Sequence, residues 1–167
     1  AALAVLRHLG CDEAACQAAV TQTHWPARMQ RLTAGPLVDR ASASGAELWL
    51  DGGHNPAAGQ ALADVLRSMP ARPTFMICGM LNTKDVRGYL APLAGVVEAL
   101  YAVPIPGERN TLPAEDTVAA ARDARLSAHA AGDVDAALER VLSDVPHARV
   151  LICGSLYLAG RILQNHN

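Results

Sequence analysis

The run FMIC at residues 75–78 is apolar throughout, and two similar runs follow it, VVEALYAV at 96–103 and VLIC at 150–153. A strand that is apolar on both sides must be covered on both faces, which is typical of parallel sheets. Segments with helical periodicity separate these runs along the chain. The pattern therefore predicts an α/β fold, a Rossmann-like, mostly parallel sheet with helices on both faces.

Further strands and helices are predicted on both sides of these apolar runs. We predict strands at 29–37, 47–50, 74–78, 96–103, 126–128 and 149–153. We predict helices before and after a stop at Gly10, and further helices at 56–68, 85–93, 113–124, 133–142 and 155–164. The small, polar segment 41–46 is predicted to be a hairpin-type turn, and 21–26 a break. We therefore divide the chain into helices and a linker at 1–22 and the α/β domain at 23–167.

The composition excludes several classes of protein. Just over half of the residues are hydrophobic (51%), which is enough for a large core. The net charge of −2 gives no basic field for nucleic acid and no polybasic patch for a membrane. No apolar run could span a bilayer, and residues 1–7 do not form a signal-peptide pattern. The four cysteines form no zinc pattern, so we expect a reduced, cytoplasmic protein without structural disulfides.

Three predicted strand ends carry polar or glycine-rich motifs, and in a parallel sheet these ends meet at one edge, where ligands bind. The first motif is DGGHNP at 51–56. Asp51 could accept hydrogen bonds from ribose hydroxyls, and His54 could pack beside a base or bind a carboxylate. The two glycines allow a ligand to approach the backbone closely. Asn55 and Pro56 have a simpler interpretation, since they are a good N-cap and first residue for a helix.

The other two motifs are CGMLNTKD at 78–85 and CGS at 153–155. Lys84, the only lysine in the chain, could bind a carboxylate or phosphate, or it could form a solvated surface pair with Asp85. Ser155 could help bind an anion at a helix start, or it could only cap that helix. No phosphate-binding loop of the Gly-x₄-Gly-Lys-Ser/Thr type occurs anywhere in the chain.

Four segments in this order resemble the folylpolyglutamate synthase and dihydrofolate synthase family of the Mur ligase superfamily. They are WPARMQ at 25–30, DGGHNP at 51–56, GMLNTKD at 79–85 and GSLYL at 154–158. The family has Trp-Pro-Gly-Arg and Asp-Gly-Ala-His-Asn-Pro where this chain has Ala27 and Gly53. Together the segments cover nearly all of the chain from Trp25 onward and identify a carboxy-terminal domain.

The resemblance implies an enzyme that joins L-glutamate to dihydropteroate or a folate, using ATP and Mg²⁺ through an acyl phosphate. Arg28 and Asp51 would hold the adenosine part of ATP. His54, the candidate catalytic residue, would lie near the nucleotide or the incoming glutamate, and Ser155 and Lys84 would help bind glutamate. The phosphate loop and metal ligands would lie in a central domain that this chain lacks, so we expect no metal site here and no turnover by the chain alone.

Two alternatives stay open at this point. The chain could be the corresponding domain of another Mur-type amino-acid ligase, such as a peptidoglycan or cyanophycin-synthetase-like enzyme. It could also be a non-catalytic α/β binding module, because it has no phosphate loop. The expected partners are ATP, glutamate, a folate or dihydropteroate substrate and the missing central domain, and we expect a monomer.

Overall fold

A computed structural model describes residues 2–23 and 25–164 of the chain. Its strands are β1 (Gln30–Arg31), β2 (Glu47–Leu50), β3 (Thr74–Cys78), β4 (Ala99–Ala102), β5 (Ala128–Ala130) and β6 (Arg149–Cys153). They form one sheet in the order β1-β2-β6-β3-β4-β5. Only β1 is antiparallel to its neighbour. The predicted fold class, a mostly parallel sheet covered by helices, is confirmed.

The helices alternate with the strands from β2 onward. They are α1 (Ala2–His8), α2 (Glu13–Thr21), α3 (Pro36–Ala43), α4 (Pro56–Ser68), α5 (Val86–Leu90), α6 (Ala114–Asp123), α7 (Val134–Asp144) and α8 (Leu156–Gln164). A 3-10 turn, Ala91–Leu93, follows α5. None of the helices in the described part of the chain combines the length and the apolar character that crossing a membrane requires.

Strands β2, β3, β4 and β6 contribute to two cores, because side chains alternate between the faces of a sheet. In β3, Phe75 and Ile77 enter one core, while Met76 and Cys78 enter the other. Helices α3, α7 and α8 close the first core, and α4, α5 and α6 close the second. This two-sided burial explains why β3 and β6 are apolar along nearly their whole length.

The position of β6 creates a crevice at the carboxyl edge of the sheet. It lies between β2 and β3 and is parallel to both. The helices that follow β2 and β3 cover one face, whereas α8, which follows β6, covers the other. Where successive connections turn to opposite faces, the loops separate and leave room for a ligand. The three predicted motifs are the loops at this point.

The predicted strand at 29–37 and turn at 41–46 are largely wrong. The strand is only β1, and the helix α3 occupies most of the remaining segment. Gly35 adopts a φ of 103° and ends the extended chain, and Pro36 takes the first helical position. The side chains that α3 buries have the spacing of one helix face. They are Leu37, Val38 and Ala41.

Two predicted strands have different bounds in the structure. The strand predicted at 96–103 begins at Ala99, because the backbone N–H groups of Val96 and Val97 both donate to Leu93 in a turn. The strand predicted at 126–128 lies at Ala128–Ala130. The strands at 47–50, 74–78 and 149–153 and the helix at 56–68 have the predicted bounds.

The predicted amino-terminal helices are present but add little to the core. Helix α1 has no buried residue, and α2 buries only Cys16. The predicted break at 21–26 includes His24, which lies outside the described residues. The assignment of residues 1–22 to a separate unit stays a prediction.

Candidate functional site

The carboxyl ends of β2, β3 and β6 bring the three motifs together, as predicted. Asp51 directly follows β2, and its backbone N–H donates to Ile152 of β6. The backbone N–H of Gly79, after β3, donates to Cys153 at 3.1 Å. These bonds continue the sheet ladder by one residue and fix the start of each loop.

Asp51 is 6% exposed, and its carboxylate fastens two backbone segments. One oxygen, Oδ1, accepts the N–H of Gly53 at 2.7 Å. The other, Oδ2, accepts the N–H of Met29 at 2.8 Å. The predicted ligand residue therefore also has a structural task, which is to join the DGGHNP loop to the segment that carries Arg28.

That segment has an unusual backbone. Ala27 and Met29, on either side of Arg28, have positive φ values of 53° and 39°. Besides the bond to Asp51, the turn is held by Ala27, whose carbonyl accepts the N–H of Gly52 at 2.9 Å. Non-glycine residues with positive φ store strain that surrounding contacts must balance. The turn places the Arg28 guanidinium over Gly52, where a Cβ atom would lie 2.9 Å from Nη1.

A first cavity, of about 290 Å³, opens beside Asp51. Its polar wall contains Arg28, Asp51 and His54, and its apolar wall is one face of α4. The wall residues on α4 are Ala58, Ala61, Leu62 and Val65. A polar edge beside an apolar wall suits a ligand that has both a ring and hydroxyl groups.

The start of α4 fixes this apolar wall. The Asn55 side chain accepts the N–H of Ala58 at 2.9 Å, and Pro56 is the first helical residue. The simpler interpretation of these two residues, as the start of a helix, is confirmed. Asn55 also lines the cavity, whereas Pro56 acts on it by orienting α4.

A second, smaller cavity of about 120 Å³ lies on the other side of His54. It is lined by His54, Leu81, Lys84, Gly154, Ser155, Leu156 and Tyr157. Within the described residues, the Lys84 ammonium makes no hydrogen bond and no ion pair, so Lys84 is available to an anion. The Ser155 hydroxyl accepts the N–H of Tyr157 at 3.0 Å and is buried, in the manner of an N-cap.

His54 is the residue that the two cavities share. Its Nδ1 lies 2.9 Å from the carbonyl oxygen of Gly52. A hydrogen bond there requires the proton on Nδ1, which leaves Nε2 of a neutral ring as an acceptor. All five predicted site residues therefore lie at one edge, with Arg28 and Asp51 on one side of His54 and Lys84 and Ser155 on the other.

Beneath this edge lies a buried group of protonated side chains. Burial raises the pKa of Tyr89 well above its ordinary value, and the nearby Cys153 and Cys78 raise it further. Burial likewise raises the pKa of Cys153. These side chains support the loops from below, and the structure gives Cys153 no role as a nucleophile.

The sequence did not indicate several residues that line the cavities. The α4 wall could have been found, because Ala58, Ala61, Leu62 and Val65 recur at helical spacing after Asn55. Leu81, Leu156 and Tyr157 were part of quoted motifs but were not given a role. In the described residues, no group of three or more His, Cys, Asp or Glu side chains is arranged to hold a metal ion.

Residues 28–156 match the family described as the Mur ligase, glutamate ligase domain. The chain belongs to this family. The matched part of this glutamate ligase domain starts at Arg28 and ends at Leu156, so it contains all five site residues. The family assignment that the four motifs suggested is confirmed.

Curated relatives of this Mur ligase domain are folate enzymes. The folylpolyglutamate synthase of Lacticaseibacillus casei is 32% identical over 142 residues, which are 85% of this chain and 30% of that protein. The dihydrofolate synthase/folylpolyglutamate synthase of Escherichia coli K12 is 27% identical over an alignment of 177 positions, gaps included, that covers 98% of this chain and 36% of that protein. The chain thus spans about a third of the length of these relatives.

Solved structures agree with this. The structure of E. coli FolC in complex with DHPP and ADP has a TM-score of 0.78 and 26% identity, over 98% of this chain and 37% of that one. Mycobacterium tuberculosis folylpolyglutamate synthase, complexed with ADP and AMPPCP, has a TM-score of 0.79 and 25% identity, over 98% and 38%. The Mur ligase domain therefore has the fold of one part of these larger enzymes.

Proposed function

We propose that this chain is the carboxy-terminal domain of an ATP-dependent ligase that adds L-glutamate to dihydropteroate, to tetrahydrofolate or to both. The observation that carries the proposal is that His54 lies between two cavities of different character. The names of the relatives support the substrates.

The first cavity is proposed to bind the adenosine part of ATP. The apolar face of α4 would cover the base, and Asp51 retains free lone pairs for ribose hydroxyls beside its two backbone bonds. Among the described residues, the Arg28 guanidinium makes one hydrogen bond, to the adjacent Ala27 carbonyl at 3.0 Å, which leaves donors for ligand oxygens. Relatives that were solved in complex with ADP support nucleotide binding by the complete enzyme.

The second cavity is proposed to bind the incoming glutamate. Lys84 supplies a positive charge that has no hydrogen-bond or ion-pair partner in the described part of the chain, and a carboxylate is its natural ligand. Ser155 orients the first turn of α8, next to the N–H groups that helices leave unpaired. His54 would separate the amino acid from the nucleotide and keep both in position.

In the proposed reaction the terminal phosphoryl group of ATP passes to the substrate carboxylate and gives an acyl phosphate and ADP. The amine of glutamate then attacks the acyl carbon, and phosphate leaves. By resemblance to the family, the proposal assigns the Mg²⁺ and triphosphate sites to the missing central domain. The role of this domain is therefore to position the two ligands.

The proposal assigns residues 1–22 to that missing domain. Val5 on α1, Leu9 directly after α1 and Val20 on α2 are 56%, 70% and 61% exposed. Packing against the rest of the enzyme would bury them.

The test uses the complete protein that carries this domain, with ATP, glutamate and either dihydropteroate or tetrahydrofolate. We expect His54→Ala to raise the KM for both ATP and glutamate by about tenfold, because one side chain forms a wall of both cavities. Lys84→Ala should raise the KM for glutamate alone. Product mass and ADP release are measured together.

His129→Ala is the matched control, because His129 is exposed on the edge strand β5, where its ring contacts Tyr101 at a tilt, and β4 separates β5 from the strands that carry the site. ADP release that depends on alanine or diaminopimelate instead of glutamate would assign the domain to another Mur-type ligase. If His54→Ala changed only the KM for ATP or only the KM for glutamate, the proposal that His54 forms a wall of both ligand sites would be contradicted.

A further inference from the structure

The loop that follows β4 forms a closed turn over residues 105–111, here called the strap. The Thr111 hydroxyl accepts the backbone N–H of Ile105 at 2.8 Å and joins the two ends of the strap. Inside it, the N–H of Glu108 donates to the carbonyl of Ile105 at 3.2 Å, and Gly107 makes the turn with a φ of 73°. Ile105 is 2% exposed and anchors the strap in the core.

The strap is bonded to the loop that carries Lys84. Leu81 and Thr111 form an antiparallel bridge. The N–H of Asn82 donates to the carbonyl of Asn110 at 2.9 Å, and the N–H of Leu112 donates to that of Met80 at 2.8 Å. The first half of the Lys84 loop is therefore paired with the strap, like one strand of a short hairpin.

The second half of the Lys84 loop is held differently. Asp85 caps α5 through the N–H of Gly88 at 2.9 Å, and this fixes the residues after Lys84. Leu81 and Lys84, which both line the second cavity, thus lie between a helix cap and the strap. The strap, which belongs to none of the three motifs, therefore supports the wall of the second cavity that Leu81 and Lys84 form.

We infer that Thr111 is a positioning residue that sets the width of the amino-acid pocket, and through it the preference for glutamate. The inference rests on the proposed function of the second cavity. Its physical basis is that loss of the Thr111 hydroxyl leaves the buried N–H of Ile105 unpaired and opens the strap. Leu81 and Lys84 then lose their fixed distance from Ser155, while the nucleotide cavity keeps its walls.

The experiment compares Thr111→Val, which keeps the shape but loses the hydroxyl, with Thr111→Ser, which keeps the hydroxyl. In the complete enzyme, we expect Thr111→Val to raise the KM for glutamate about three- to tenfold. The KM for ATP and kcat should stay within about twofold, and the ratio of kcat/KM for glutamate over aspartate should fall. Thr111→Ser should keep the wild-type KM for glutamate and the wild-type preference for glutamate over aspartate.

Thr117→Val is the matched control, because Thr117 is fully buried on α6 and its hydroxyl donates only to the local carbonyl of Pro113. Hydrogen exchange gives a second readout. The amides of Asn82 and Leu112 should exchange faster in Thr111→Val and not in Thr117→Val. An unchanged glutamate KM in Thr111→Val, or an equal rise in Thr117→Val, would overturn the inference.

The two proposals fail in different ways. A wild-type enzyme without glutamate-dependent ADP release would overturn the proposed function and, with it, the ligand assigned to this pocket. A wild-type enzyme that ligates glutamate, combined with a Thr111→Val variant of normal selectivity, would overturn only the role of the strap.

Discussion

Gly59→Ala is expected to lower the free energy of unfolding by about 3 kcal/mol or more, which is a large part of the roughly 5–15 kcal/mol that stabilises a typical domain. Gly59 is buried in α4, and a Cβ atom there would lie 2.0 Å from the carbonyl oxygen of Tyr89 in α5. The obstacle is backbone, so no side chain can rotate away. Helices α4 and α5 must separate, and the second core between them must open.

The matched control is Gly160→Ala in α8, where an added Cβ would meet nothing within 4 Å. That change should leave stability unchanged or raise it by about 0.5–1 kcal/mol, because alanine favours the helix. Urea denaturation curves of the two variants give the comparison. Equal midpoints would show that α4 and α5 do not pack as described.

Glu47→Ala is expected to destabilise the fold by about 3–5 kcal/mol, the usual effect of removing one partner of a buried ion pair. The Arg149 side chain is 4% exposed, and its Nε lies 2.7 Å from Oε1 of Glu47. Arg31 and Arg72 lie 3.8 and 3.9 Å from the same carboxylate. Without the Glu47 carboxylate, the guanidinium groups of these three arginines lie together uncompensated at the amino edge of the sheet.

The control for this variant is Asp64→Ala, which breaks a pair of similar length, 3.0 Å, whose partners are 52% and 62% exposed. An exposed pair contributes at most about 1 kcal/mol, so the two variants should differ clearly in chemical denaturation. A similar, small loss in both would mean that solvent reaches Arg149.

The same carboxylate makes stability depend on pH. Burial alone would raise the pKa of Glu47, but hydrogen bonds, of which that from Arg149 is the strongest, and the charges of Arg149 and Arg72 together outweigh it, and the pKa is lowered from its ordinary 4.5. A lowered pKa in the folded state stabilises the fold above that ordinary value, and this contribution disappears as pH falls through the folded-state pKa. We expect the stability gap between wild type and Glu47→Gln to shrink below about pH 4.5.

The sequence predicted best what depends on local pattern. The runs at 75–78 and 150–153 are buried on both faces, so their composition indicated both strand and parallel sheet. The meeting of Asp51, Lys84 and Ser155 followed from the rule that parallel strands end at one edge. Helix α3 was missed because its small and polar residues, such as Ser42, are also typical of a turn, and because its first residues were assigned to the preceding strand.

The remaining features depend on long-range contacts that no local pattern encodes. The strap is joined to the Lys84 loop by bonds between backbone groups about 30 positions apart, such as Asn82 and Asn110. The two hydrogen bonds that the Asp51 carboxylate accepts from backbone N–H groups could not be predicted from the sequence either, because any residue except proline can supply a backbone N–H. The close packing at Gly59 could in principle have been predicted, since a glycine inside a helical pattern often marks close packing.

The strained turn around Arg28 has a consequence for how the site responds to mutation. Ala27, which stands where the family has glycine, and Met29 keep their positive φ while the Asp51 carboxylate holds the Met29 amide. Arg28 and Asp51 are therefore one thermodynamic unit. In a double-mutant cycle for nucleotide affinity, Arg28→Ala and Asp51→Asn should be strongly sub-additive, with a coupling free energy of about 1 kcal/mol or more. Neutralising Asp51 would by itself remove most of the contribution that Arg28 makes to nucleotide affinity.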